Sequence, residues 1–136
     1  MRTLLTQMFC LMCNTQELWL SSNQIGDKGL EAWSASLATG AMPQLEVLYL
    51  DENQIGDTGI TALANACATG AMAQVTHLLL AGNLISDPGM QAFLGALADG
   101  ALALGANIYL MDNNLTDAGK QAARDATSDS GRKVYL

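Results

Sequence analysis

Positive charge is what this chain has least of. Six Lys and Arg stand against 13 Asp and Glu in 136 residues, for a formal net charge of -7. The bases are Arg2, Lys28, Lys120, Arg124, Arg132 and Lys133, so the span between Gly29 and Gly119 carries none. That span holds Glu31, Glu46, Asp51, Glu52, Asp57, Asp87, Asp99, Asp112 and Asp117. Affinity for nucleic acid depends on clustered Lys and Arg, so a phosphate backbone is repelled here and nucleic acid is not an expected partner. Long hydrophobic runs are missing as well. None approaches the ~18 apolar residues of a membrane span, and no span is expected. Cysteine is scarce and odd in number, at Cys10, Cys13 and Cys67. That is no disulfide framework, and it favours a reducing compartment, the cytoplasm. Cys10 and Cys13 have C-x-x-C spacing, but zinc would need about two more ligands, and only Cys67 and His77 are available. The thiols read better as apolar-face side chains.

What the chain has in abundance is a period. Asn23, Asn53, Asn83 and Asn113 are spaced thirty residues apart. So are Leu20, Leu50, Leu80 and Leu110, then Asp27, Asp57, Asp87 and Asp117, then Gly29, Gly59, Gly89 and Gly119. Gly40, Gly70 and Gly100 keep the same interval. A fixed period of this length means stacked units that bury their apolar faces against their neighbours. Within a unit, Leu48 and Leu50 share one face of an extended chain while Val47 and Tyr49 share the other. Asp57 then stands where a helix N-cap belongs, and Pro88 after Asp87 suits the first helical position. Ile60, Leu63, Ala64 and Cys67 follow as one helical stripe. The next glycine fits the left-handed position that closes a helix. The spacing predicts parallel strands near 17–21, 47–51, 77–81, 107–111 and 134–136, and helices near 28–38, 58–68, 88–98 and 118–127.

The pattern L-x-x-L-x-L-x-x-N-x-I followed by D-x-G and a helix resembles the leucine-rich repeat of the ribonuclease-inhibitor type, over about Glu17 to Thr127. The resemblance implies an α/β solenoid with a parallel sheet on the concave side and helices on the convex side. It also implies that Asn23, Asn53, Asn83 and Asn113 form a structural ladder bonded to loop backbone. Family members mostly bind proteins, and some activate small GTPases, but the repeat itself fixes neither role.

We expect three parts: an amphipathic capping helix over 1–16, four repeats over 17–127, and a closing cap over 128–136. Leu4, Leu5, Met8, Phe9 and Met12 give the first its helical spacing. The polar fourth stripe, Lys120, Ala123 and Thr127, suits a terminal unit. GRKVYL at the end reproduces GANIYL at an interval of 26 residues, so Val134 to Leu136 reads as a fifth strand.

No catalytic set assembles from the sequence. His77 would need an orienting acid, for which Asp51 or Glu52 are the nearest choices, and a nucleophile that no Ser or Cys supplies. No glycine-rich phosphate cradle appears, and no cofactor or metal is expected. The Asn114-Leu115-Thr116 sequon lies in a repeat turn. The informative surface is the concave one. Trp19, Tyr49, Leu79, Tyr109 and Tyr135 fall in one row, flanked by Glu17, Val47, His77 and Asn107 on one side and by Ser21, Asp51, Ala81 and Met111 on the other. Aromatic residues favour strands anyway, but an exposed apolar row marks a contact site, and Trp and Tyr anchor interfaces. With Glu17, Asp51, Glu52 and Asp112 nearby, a protein partner with a basic rim and an apolar centre fits. The expected function is therefore a non-enzymatic scaffold or adaptor, with small-GTPase regulation and self-association as the competing readings.

Overall fold

The computed structural model describes residues 14–136. Strands β1 (Glu17–Trp19), β2 (Val47–Tyr49), β3 (His77–Leu79), β4 (Asn107–Tyr109) and β5 (Lys133–Tyr135) alternate with helices α1 (Asp27–Leu37), α2 (Asp57–Cys67), α3 (Asp87–Ala98) and α4 (Asp117–Thr127). The five strands form one parallel sheet in sequence order. The strands are shorter than the pattern suggested, yet inter-strand bonding runs on past them. Glu52 N–H donates to Ala81 O at 2.8 Å, and Gly82 N–H to Met111 O at 2.9 Å. The last strand begins one residue earlier than expected. Of the stretch read as an N-terminal capping helix, only 14–16 is described, and it is a turn and irregular chain leading into β1. The apolar stripe before it, with Cys10 and Cys13, lies outside the described residues.

The core sits between sheet and helices. Leu48, Leu50, Ile55, Ile60 and Leu63 of the second unit are sealed from solvent, as are Leu78, Leu80, Ile85 and Phe93 of the third. Alternate strand residues Val47, Tyr49, His77 and Leu79 are only half-buried, because successive side chains of a strand point to opposite faces. Gly40, Gly70 and Gly100 adopt φ of 83°, 86° and 85° and end the first three helices, their N–H groups bonding to Leu37, Cys67 and Leu97 carbonyls at 3.0 Å.

The repeated aspartates do not cap their own helices. Each is the first helical residue, preceded by Gly26, Gly56, Ser86 or Thr116 at the cap position, and the first three of those caps contribute no side-chain bond. The helices accordingly begin one residue earlier than the pattern suggested. The carboxylates reach one unit ahead instead. Asp27 Oδ1 accepts from the N–H groups of Gly56 at 2.7 Å and Gly59 at 3.0 Å. Asp57 takes the Ser86 N–H at 2.8 Å and the Ser86 hydroxyl, and Asp87 takes the Thr116 N–H at 3.0 Å and its hydroxyl. A carboxylate beside a helix N-terminus meets orphan donors and the positive end of the dipole. Asp27, Asp57 and Asp87 therefore each cap the following helix and bolt two units together. The same approach explains D-x-G. A Cβ at Gly89 would strike Asp57 Oδ1, with Ile60 Cγ2 at 2.7 Å and the Asp57 Cα at 2.8 Å.

Just before the last strand, Arg132 reaches back to the helix layer. It is buried, and its guanidinium donates to the carbonyls of Leu97 at 3.0 Å, Leu102 at 2.8 Å and Ala103 at 3.3 Å. Helix α3 has no basic residue in its own last turn. Arg132 brings a cation to its negative end. It supplies a donor to the Leu102 carbonyl and a second one to the Leu97 and Ala103 carbonyls, which already accept from the Gly100 and Ala106 N–H groups.

Candidate protein-interaction surface

The parallel register aligns Trp19, Tyr49, Leu79, Tyr109 and Tyr135 across the five strands, on the face opposite the buried leucines. Trp19 is 66% exposed and Tyr135 39%, while Tyr49, Leu79 and Tyr109 between them are half-buried. The rings do not form one continuous stack. Trp19 and Tyr49 stack with centroids 3.8 Å apart and planes at 14°, drawn closer than the ~4.8 Å strand spacing. Tyr109 and Tyr135 stack at 4.6 Å and 6°. Leu79 separates the two pairs.

His77 lies beside Val47 and Asn107 in register. Its Nδ1 meets the Thr76 hydroxyl at 3.0 Å and its Nε2 meets Asn107 Nδ2 at 3.3 Å. The acid considered for orienting it, Asp51 or Glu52, is not bonded to it. Asp51 Oδ1 instead accepts from the Ser21 hydroxyl at 2.8 Å, and Glu52 Oε2 from the Ser22 hydroxyl at 2.7 Å. Glu17 takes the Trp19 indole N–H at 3.3 Å. Met111 is exposed on the fourth strand's extension.

The residue before each columnar Asn has a left-handed backbone: Ser22 at φ 55°, Glu52 at 54°, Gly82 at 68° and Asp112 at 57°. This turn tips the chain from the sheet toward the helix layer and lifts Glu52 and Asp112 onto the rim. The pattern contained one sign of it, Gly82 in a column otherwise filled by Ser, Glu and Asp. Below the rim, Asn53 Oδ1 accepts from Ile25 N–H at 3.1 Å, and its Nδ2 donates to Leu20 and Leu50 carbonyls at 2.9 and 3.0 Å. Asn83 repeats the set with Ile55, Leu50 and Leu80, and Asn113 with Ile85, Leu80 and Leu110. Asn23 is exposed and among the described residues bonds within its own unit, to Leu20 and Ser21. These amides are consumed by backbone.

The helix side is less organised for binding. A hollow of about 280 Å³ between α3 and α4 is floored by Met90 and Leu94, and the Asp87 carboxylate at its edge is already committed to Thr116. Among the described residues no group of three or more His, Cys, Asp or Glu could hold a metal ion. No described helix is long and apolar enough to cross a membrane. Cys67 is a free, buried thiol packed 3.3 Å from the Met72 sulfur, and burial pushes its pKa up to about 12. It is inert as a nucleophile.

A leucine-rich-repeat family model matches residues 16–32, 41–64 and 74–94. No curated protein sequence matches. Among solved structures, the actin-binding site 2 of leiomodin-1 is similar, at a TM-score of 0.75 and 14% identity, over 97% of this chain and 77% of that one. Identity at that level speaks for the fold alone. The chain carries leucine-rich repeats, and its fold is a leucine-rich-repeat solenoid.

Proposed function

We propose that this chain is a non-enzymatic interaction module, a scaffold or adaptor, that holds a protein partner on the concave sheet face. The observation that carries the reading is the row from Trp19 to Tyr135: large rings kept half in solvent on a rigid sheet, in register, beside acids with few opposing bases. Such rings anchor interfaces at low entropic cost. The partner that suits it has an apolar centre and a basic rim, meeting Asp51, Glu52, His77 and Met111 around the row. Repeats of this class serve protein binding, and the similar leiomodin-1 structure is named for binding actin. We assign the repeats to the ribonuclease-inhibitor type because each pairs a short strand with a full helix of 11 or 12 residues. The cytoplasm suits the free Cys67 thiol. Regulation of a small GTPase by an arginine in trans finds Arg132 already spent on three carbonyls.

The test is a paired replacement. Tyr49→Ala with Tyr109→Ala removes two half-exposed rings and leaves Leu48, Leu50, Ile108 and Leu110 untouched. That variant keeps its thermal transition and loses at least about tenfold in affinity for a protein recovered by pulldown. Thr61→Ala with Asn65→Ala, on the helix surface, binds as wild type. If the helix-surface pair loses binding and the sheet pair does not, the working face is the convex one.

A further inference from the structure

The third unit is a trough in the sheet face. Beyond His77 its outward residues are short, Leu79, Ala81 and Gly82, where the second unit has Tyr49, Asp51 and Glu52 and the fourth has Tyr109, Met111 and Asp112. Tyr49 stacks on Trp19 and Tyr109 on Tyr135, in each case on the side away from β3. One face of each ring is thus used, and the other looks across the Leu79 column. Two strand spacings separate these π faces, roughly 9–10 Å. A flat group packed between two rings needs about 3.5–4 Å on each side. The slot accepts one planar group, with Leu79 as its floor.

The mouth of the slot is anionic. The Glu52 backbone and Cγ border the third unit, 3.4–3.5 Å from where a Gly82 Cβ would stand, while its carboxylate reaches toward the first unit. Its Oε2 is held by Ser22, while Oε1 accepts no hydrogen bond among the described residues. On the opposite wall the exposed Asp112 carboxylate accepts none from them either. A ligand that meets two π faces and takes up the spare acceptors of Glu52 Oε1 and Asp112 is a flat cation on an apolar stem. A guanidinium stacks on aromatic faces and takes carboxylates through a planar fork of donors, which a round ammonium does not. We propose that the trough between Tyr49 and Tyr109 is the recognition pocket for an arginine side chain of the protein partner, with Glu52 and Asp112 taking its guanidinium. This rests on the concave-face reading and sharpens it to one residue type.

The probe is N-acetyl-arginine amide, titrated into the isotopically labelled chain and followed by backbone amide shifts. A fragment of this size binds weakly, in the millimolar range. The expected result is saturable shifts at Leu79, Ala81 and Gly82, with smaller ones from N-acetyl-lysine amide and none from the uncharged citrulline analogue. Glu52→Gln with Asp112→Asn abolishes saturation. Leu79→Tyr fills the slot with a residue this column already uses, so it folds, excludes the arginine probe and weakens the recovered partner about tenfold. Arginine shifts centred on the helix side, equal shifts from citrulline, or unimpaired binding by Leu79→Tyr would each overturn the proposal. If Leu79→Tyr binds the partner normally while the Tyr49→Ala and Tyr109→Ala pair does not, the arginine pocket is wrong and the concave face stands. If neither variant loses the partner, both fall.

Discussion

The same substitution at two equivalent glycines should have opposite signs. Gly29 and Gly89 occupy the same position in the first turn of α1 and α3, at the third residue of each helix. Among the described residues a methyl group at Gly29 meets only Ile25 Cγ2 at 3.5 Å, an ordinary contact. Gly29→Ala therefore removes a helix-interior glycine without penalty and stabilises by about 0.5–1 kcal/mol. At Gly89 the methyl runs into the Asp57 carboxylate, Ile60 Cγ2 at 2.7 Å and the Asp57 Cα at 2.8 Å. A carboxylate tip can swing aside, but a Cα can move only by shifting the α2 backbone. Overpacking of this kind costs about 1–3 kcal/mol. Displacing Asp57 from Ser86 also forfeits charge-assisted bonds worth about 1.5–3 kcal/mol. Against the propensity gain, the net loss for Gly89→Ala is about 2–5 kcal/mol. Urea unfolding followed by far-ultraviolet circular dichroism reads both variants against wild type. Equal shifts of the same sign would refute the claim that D-x-G exists to admit the preceding unit's aspartate.

Three further outcomes follow from the same contacts. Asn83→Ala should lose about 1–3 kcal/mol by orphaning buried backbone groups of Ile55 and Leu50, whereas the exposed, intra-unit Asn23→Ala loses much less. Equal denaturation midpoints would contradict this. Arg132→Met should destabilise by about 1–3 kcal/mol and raise amide exchange at the end of α3, because the Leu102 carbonyl loses its donor and the Leu97 and Ala103 carbonyls lose a charged one beside their backbone bonds. Unchanged exchange there would show that the cap is dispensable. The Asp87 carboxyl is held below the ordinary carboxylate range by the Thr116 hydroxyl and then the Thr116 amide. Its contribution is fully present above the unfolded value near pH ~4 and is lost as pH falls through the lower folded value. Asp87→Asn should thus be less stable than wild type at neutral pH and lose less of its stability on acidification. Parallel midpoint-against-pH curves would contradict it.

The sequence disclosed whatever the repeat displays in every unit. Strand faces, helix stripes and the closing glycines recur at Leu48, Leu63 and Gly70 and at their equivalents, so local chemistry and period agreed and the fold followed. The aspartates misled because a carboxylate at a helix start looks the same in one dimension whether it caps its own helix or the next. Only the Asp57–Gly89 pairing, in which one residue needs the other to lack a side chain, tells them apart, and that spans two units. Arg132 was illegible for the opposite reason. It occurs once, at the one connection that departs from the period, and its role depends on which carbonyls the fold brings within its reach. The aromatic row was legible as a row but not as two pairs. Leu79 was the sign, a single aliphatic residue in a column of rings.

The side chains that clamp one unit's backbone to the next face away from that row. Asp27, Asp57 and Asp87 work at the helix starts, Asn53 and Asn83 beneath the rim, and Arg132 behind the last strands. None takes a side chain from the outward positions of β2, β3 or β4. Leu79, Ala81 and Gly82 can therefore vary without disturbing the clamp that fixes their spacing, while Tyr49 and Tyr109 are held two strands apart by it. A solenoid built this way separates the residues that set the geometry of its sheet face from those that give the face its chemistry. Tightening a clamp should change stability with little effect on what binds, and filling the trough should do the reverse.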